Sequence, residues 1–245
     1  MVHALIFAGG VGARMKSTDI PKQFLPVDGK PIIVRTLEKF SRHTLVNDIV
    51  VACLEEKIDY LWDLTKEFNI GKIKDIIPGG ETGHQSIHNG LVKIEKYSDP
   101  EDIVLICDGV RPLISMDLIS NCVKTARKYE TAVPVTPSID SVLESTDGKT
   151  CGKSLQRKNI YITQAPQGYS MRKIMWAHDE AEKRGIFNPI SSSELLIELG
   201  ETVQIFIGER ENIKVTTPED LKYLRSRYYY KHFKHFAEEE LGEGI

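Results

Sequence analysis

Ala4-Leu5-Ile6-Phe7-Ala8-Gly9-Gly10-Val11-Gly12-Ala13-Arg14-Met15 carries a short apolar run straight into a glycine-rich turn, and Pro21-Lys22-Gln23-Phe24 follows a few residues on. An apolar strand ending in such a loop predicts an α/β sheet whose ligands gather at the carboxyl ends of its strands. Glycines there let the backbone approach a polyanion, while Arg14 and Lys22 add permanent positive charge. A tight strand-to-loop turn would account for the glycines by themselves, but it has no use for the spaced cations. The run is not a dinucleotide fingerprint, because the residue three after Gly12 is Met15, and it lacks the Gly-Lys-Ser/Thr ending of a Walker A loop. What remains is a loop suited to a triphosphate.

Working outward, short apolar runs alternate with helix-period segments, which predicts a mostly parallel sheet flanked by helices. Strands are expected at 4–7, 48–53, 74–77, 103–107 and 132–135, and helices at 31–40, 57–67, 85–94, 116–129, 171–183 and 193–199. An apolar strand at 203–207, a short one at 213–215 and a closing helix capped by Thr217-Pro218-Glu219-Asp220 complete the pattern. Between about 136 and 161 the alternation changes to that of a β-hairpin around Asp147-Gly148-Lys149, inserted into the α/β chain. A protruding hairpin needs cover, either from a second copy in a dimer or from its own domain.

The chain has 245 residues, a length that suits one domain or two, and one is the simpler reading. A formal charge of −3 with 27% charged residues gives no overall basic bias, which argues against a nucleic-acid partner. The basic and aromatic run 225–236, taken alone, could suggest RNA binding, but such aromatics on a terminal helix pack against the domain or a dimer mate. Cys53, Cys107, Cys122 and Cys151 contain no C-x-x-C pair and read as buried apolar side chains in a reducing compartment. No run approaches the ~20 apolar residues of a membrane span, and the chain enters a core strand at once, so no membrane partner and a cytoplasmic location are expected.

Three further stretches bear chemistry. Pro78-Gly79-Gly80-Glu81-Thr82-Gly83-His84-Gln85-Ser86 joins a glycine turn to a helix start, where Gly80 and Ser86 suit the polar edges of a base or ribose, although a turn with an N-cap would look the same. In Cys107-Asp108-Gly109-Val110-Arg111-Pro112 a carboxylate stands at the end of a central strand, where Asp108 is a hard-oxygen ligand for Mg2+ and Arg111 a loop-fixing ion-pair partner. In Glu211-Asn212-Ile213-Lys214-Val215-Thr216 alternation sets Lys214 on the face opposite Ile213 and Val215, pointing into a cleft or, as an ordinary surface lysine, into solvent.

Together, Gly-Gly-x-Gly-x-Arg-Met, Pro-Lys-Gln, Asp-x-x-Arg-Pro and Asn-Ile-Lys-Val-Thr resemble the polyol-phosphate cytidylyltransferase family, over about residues 2–226. The resemblance implies one nucleotidyltransferase domain at 1–226, with a β arm at about 136–161 that builds a homodimer, followed by a helix and tail at 227–245. It implies transfer of CMP from CTP to a polyol phosphate, with Mg2+ and release of pyrophosphate. Carried over by position, Arg14, Lys22 and Lys214 are catalytic contacts to the phosphates. Ala8, Gly9, Gly10, Gly12, Gly80, Ser86 and Asp108 surround the nucleotide, and Asp108 and Glu211 serve the metal. Arg157, from the partner's arm, holds the acceptor with Thr163 and Gln164. A non-catalytic nucleotide-binding dimer is the alternative from another class.

The chain departs from the family pattern on the acceptor side. Cys107 stands where a histidine is usual, Gly83 where an arginine is expected, Ala165 where a threonine precedes Pro166-Gln167, and Ser191 or Ser192 where an aspartate is common. The Gln164-x-Pro166-Gln167 element and the run 37–40 look closer to the ribitol 5-phosphate branch than to the 2-C-methyl-D-erythritol 4-phosphate branch.

Overall fold

The computed structural model describes residues 1–10, 20–187 and 189–241, with side chains up to 230. The apolar runs form a central sheet: β1 (Val2–Ala8), β4 (Asp48–Cys53), β5 (Ile73–Pro78) and β6 (Ile103–Asp108) lie parallel in the order β6-β1-β4-β5. Two short strands between β1 and β4, β2 (Pro26–Val27) and β3 (Lys30–Pro31), pair with each other.

Every residue of β4 and β6 is buried, as a parallel sheet covered on both faces requires. Successive side chains enter opposite layers. Ile103, Leu105 and Cys107 face a core with α1 (Ile32–Arg42), α2 (Ile58–Glu67) and α4 (Met116–Tyr129). Val104 and Ile106 face one with α3 (Gly83–Glu95), α5 (Met171–Arg184) and α6 (Ser192–Glu198). Helix α3 lies close on β1 because residue 90 is glycine: a Cβ there would stand 2.2 Å from Leu5 Cδ1.

The second half of the sheet is antiparallel in part. After β7 (Thr131–Pro137) the chain leaves as an arm, in which β8 (Leu143–Glu144) pairs with β9 (Lys153–Ser154), and returns as β10 (Tyr161–Thr163) against β7. It then enters β11 (Gln167–Ser170), a fully buried strand antiparallel to both β6 and β7. β11 was not expected from the sequence. Its four residues, with a glycine and two polar side chains, are too short and too polar to show a period, and burial between two neighbours makes them a strand.

β12 (Ile205–Ile207) pairs in parallel with β7 and is shorter than the expected run 203–207. The short strand expected at 213–215 does not form. Residues 209–213 turn on themselves through Asn212 N to Glu209 O and Ile213 N to Glu211 O, so the segment meets its neighbour by one bond, Val215 N to Val110 O. The last helix, α7 (Pro218–Leu241), is capped as the sequence suggests and runs through residue 226. Asp220 Oδ2 accepts from Thr216 and Thr217 N, and Thr217 Oγ1 accepts from Asp220 N. Among the described residues no helix is long and apolar enough to cross a membrane.

Gly90→Ala tests the α3–β1 contact. Overpacking against Leu5 should cost about 1–3 kcal/mol and outweigh the ~1 kcal/mol gain in helix propensity. The expected result is a lower urea midpoint at unchanged slope.

Candidate active site

Strand register brings the loops together. Phe7 pairs with Asp108, Ala8 with Cys53 and Cys53 with Pro78, so the first glycine loop, the second glycine loop and the carboxylate leave the sheet at one level. Gly79 N donates to Cys53 O and Gly109 N to Phe7 O, which extends the pairing into the loops.

Ser86 braces the second glycine loop and packs close beneath the first. Its buried hydroxyl accepts from Gly80 N at 2.9 Å and donates to Thr82 O at 2.9 Å. A Cβ at Gly79 would lie 2.9 Å from Ser86 Oγ, and one at Gly9 3.1 Å from it. Ser86 therefore shapes the loop from within. Gln23, also buried, gives the Pro-Lys-Gln motif its structural meaning, because its Nε2 donates to Ala8 O at 2.6 Å and Gly10 O at 3.3 Å, tying the Lys22 segment to the first loop.

Two cavities open on this platform. The first, about 200 Å³, is lined by Ala8, Gly9, Gly10, Lys22, Gly80, Ser86, Asp108 and Lys214. The second, about 250 Å³, is lined by Asp108, Arg111, Thr163, Gln164, Gln167, Ser191, Ser192 and Lys214. Asp108 and Lys214 belong to both, and the cavities meet there. Arg14 and Gly12, expected at the phosphates, lie outside the described residues.

At the junction Asp108 is held between two cations. Arg111 Nε donates to Asp108 Oδ2 at 2.9 Å, and Lys214 Nζ stands 2.6 Å from Oδ1. Burial by itself would raise the Asp108 carboxyl, yet Arg111 and Lys214 together hold it below the usual carboxylate range. Lys214 remains 41% exposed at its side chain, so the ammonium is open to a ligand.

The Lys214 segment is fixed by Gln164 and Asn212, which the sequence did not mark as structural, and by Arg111, expected to fix its loop. Gln164, expected to touch the acceptor, spends its amide on the backbone: Nε2 donates to Glu209 O at 2.7 Å and Oε1 accepts from Glu209 N at 3.1 Å. Its role is to position. Fully buried Asn212 donates from Nδ2 to Ala165 O at 2.7 Å, and Arg111 Nη1 donates to Asn212 O at 2.9 Å. Arg111 thus links the carboxylate to the backbone two residues before Lys214. Only the long separation in sequence hid this latch.

Glu211 and Arg157 are not brought to the cavities within this chain. Glu211, expected as a second metal ligand, forms an ion pair with Arg227 of α7. Arg157 lies in the exposed arm, donating from Nη1 to Ile139 O at 3.3 Å. Three cysteines are buried as expected, but Cys151 is exposed in the arm, whose residues have no core to enter.

Among the described residues no three His, Cys, Asp or Glu side chains stand ready as a metal cage. Asp108 is the one carboxylate shared by the two cavities. This donor set fits a Mg2+ that arrives on phosphate oxygens and takes at most one protein carboxylate. It does not fit an ion held by the protein alone.

The comparisons agree with this geometry. The family model for IspD, 2-C-methyl-D-erythritol 4-phosphate cytidylyltransferase, matches residues 2–227. A ribitol-5-phosphate cytidylyltransferase from Vibrio parahaemolyticus is 41% identical over 218 residues, covering 89% of this chain and 91% of that protein. A 2-C-methyl-D-erythritol 4-phosphate cytidylyltransferase from Clostridium botulinum is 34% identical over 218 residues, covering 89% and 93%. The crystal structure of 4-diphosphocytidyl-2C-methyl-D-erythritol synthase from Anaerococcus prevotii superposes with a TM-score of 0.79 at 26% identity, covering 93% of this chain and 96% of that one.

Asp108→Asn tests the ion-pair junction. Leaving Arg111 and Lys214 without their counter-charge should lower unfolding free energy by about 3–5 kcal/mol at neutral pH. Because the folded carboxyl is held down, its contribution is complete above the unfolded value of ~3.9 and lost as pH falls through the folded one. Urea titrations should therefore show a constant gap from neutral pH to about 5 that closes only in stronger acid. With the glycine loops, the Asp108–Lys214 junction and the arm on one scaffold, the chain belongs to the IspD cytidylyltransferase family.

Proposed function

We propose that this cytidylyltransferase takes D-ribitol 5-phosphate as its acceptor, giving CDP-ribitol and pyrophosphate from CTP. The observation that carries the reading is the pair of cavities meeting at Asp108 and Lys214, one framed by glycine loops and the other by hydroxyls and amides. CTP fills the first and the polyol phosphate the second.

Both reactants are polyanions, so their approach must be arranged by cations. An acceptor phosphate oxygen forms a bond to the α-phosphorus while the bond to the bridging oxygen of the leaving pyrophosphate breaks on the opposite side. The attacking group is already anionic near neutral pH, and no general base is required. Lys214, at the junction, neutralises charge on the α-phosphate, and Lys22 and Arg14 take the leaving pyrophosphate. The divalent cation of such nucleotidyltransferases, here Mg2+ with Asp108 as its protein ligand, supplies charge neutralisation along the triphosphate when bound.

The acceptor follows from the second cavity. Thr163, Ser191 and Ser192 line it with hydroxyl-bearing residues, and Ala165 replaces a threonine of the family pattern. An unbranched chain with a hydroxyl on every carbon but the phosphorylated one uses such a lining better than a methyl-branched one. Names of relatives support the choice, because the 41% identical Vibrio protein is a ribitol-5-phosphate enzyme.

The arm carries the second-copy proposal. Ile139, Leu143 and Ile162 are more than half exposed, at 58%, 61% and 54%, and a dimer would cover them. Arg157 would then reach the partner's acceptor phosphate.

A pyrophosphate-release assay across polyol phosphates tests the acceptor. D-ribitol 5-phosphate should give the highest kcat/KM, and a higher value for 2-C-methyl-D-erythritol 4-phosphate would overturn the choice. Lys22→Ala or Lys214→Ala should lower kcat by about 100-fold or more, and wild-type turnover would remove that lysine from the mechanism. Mixing Arg157→Ala with Lys214→Ala subunits should restore activity, because each mixed dimer then holds one intact site. No recovery would place Arg157 outside the partner's site.

A further inference from the structure

Phe7, Gly83, Asp108 and Lys214 line both the first and the second cavity and mark the place where the two meet. His84 lines the second cavity but not the first. Beyond it lies a larger cavity of about 440 Å³ between α3, α5 and the residues Ile186 and Phe187 that follow α5. Among the described residues His84 is the one side chain common to the linings of the second cavity and this larger one, so its imidazole stands as the partition between them.

The partition is backed from α5. His178, 3% exposed, stacks on His84 with 4.5 Å between ring centroids and 8° between planes, and His88 lies 5.2 Å from His178. Burial, and then the neighbouring imidazoles, push His178 down to about 3, and burial likewise lowers His84, so these two rings face each other near neutral pH without like-charge repulsion. Neither His178 nitrogen has a hydrogen-bond partner among the described residues, and what His178 gives its neighbour is a flat, buried face. Gly83, where the family pattern has an arginine, adds no side chain to the wall, and a Cβ there would meet only Phe7 Cε2, at 4.0 Å. The bulk at this point of the lining therefore falls to His84.

We propose that His84 sets the length of acceptor that the second cavity admits, its ring closing the side toward the larger cavity against polyol phosphates of more than five carbons. The inference deepens the reading of the second cavity as the acceptor site and rests on it. An acceptor phosphate has to lie at Asp108 and Lys214 to reach the α-phosphorus, so the polyol chain runs away from that junction into a space of about 250 Å³. A sixth carbon brings its hydroxyl against the imidazole, which yields only by leaving its stack on His178. Removing the ring joins the acceptor cavity to the 440 Å³ behind it, and the longer chain fits.

Pyrophosphate release with D-ribitol 5-phosphate, and with D-mannitol 1-phosphate and D-glucitol 6-phosphate as acceptors one carbon longer, tests the limit by ratios of kcat/KM. Wild-type protein should prefer the pentitol to either hexitol by about 10-fold or more. His84→Ala should narrow that preference by about 10-fold through a rise in the hexitol values, and His84→Asn, a shorter polar side chain, should do the same if the first variant folds poorly. His84→Phe, which restores the bulk without the nitrogens, should keep the wild-type ratio. No preference in the wild type, a ratio unmoved in both shortened variants, or a ratio that narrows as much in His84→Phe as in His84→Ala would each overturn the proposal. So would a rise in KM for CTP with the ratio unchanged, the mark of a distorted glycine loop. Turnover of D-ribitol 5-phosphate with an unmoved ratio removes the length limit alone, whereas no turnover of any of the three acceptors by the wild type removes the reading of the second cavity and this inference with it.

Discussion

One carboxylate at the end of one buried strand organises this protein. Asp108 sits where β6 leaves the sheet, with Arg111 on one oxygen and Lys214 on the other. Two cations so close would repel if left alone, and at an effective dielectric of 20 a unit pair at 4 Å is worth ~4 kcal/mol. The carboxylate cancels that repulsion and sets both groups in place before any ligand arrives. A phosphate then finds cations whose positions are already fixed, which is how such sites stabilise developing charge without reorganising.

The surrounding residues divide into those that face the cavities and those that hold the first group still. Lys22, Lys214 and the glycine backbones face the space. Ser86, Gln23, Gln164 and Asn212 spend their polar atoms on protein backbone. Each is buried; Ser86 braces its own loop, while Gln23, Gln164 and Asn212 each tie segments that are distant in sequence. A cluster of exposed loops gains in this way the rigidity that a sheet has from its ladder, and loop geometry becomes as much a product of side chains as of main chain.

Much of the frame was legible in the sequence because β4 and β6 are apolar runs and α4 is an amphipathic helix, each with a pattern set locally. The observed spans Asp48–Cys53 and Met116–Tyr129 coincide with the expected ones. β11 escaped because four mixed residues carry no period and become a strand only when β6 and β7 flank them. The segment around Lys214 was expected as a strand and is held by a latch, yet Val215 is fully buried while Lys214 reaches the cleft, so alternation forecast the side chain correctly from the wrong element.

The sequence by itself determined the chemistry on offer: glycines at strand ends, basic residues spaced after them, and a carboxylate closing an apolar run, all local facts of residue type and order. Only the tertiary structure decided which of these groups share a space. It put Lys214 on Asp108, turned Glu211 away to Arg227, used Gln164 as a brace and gathered three histidines behind the loop. Convergence depends on strand register and helix packing between residues far apart in the chain, and no local pattern encodes those distances.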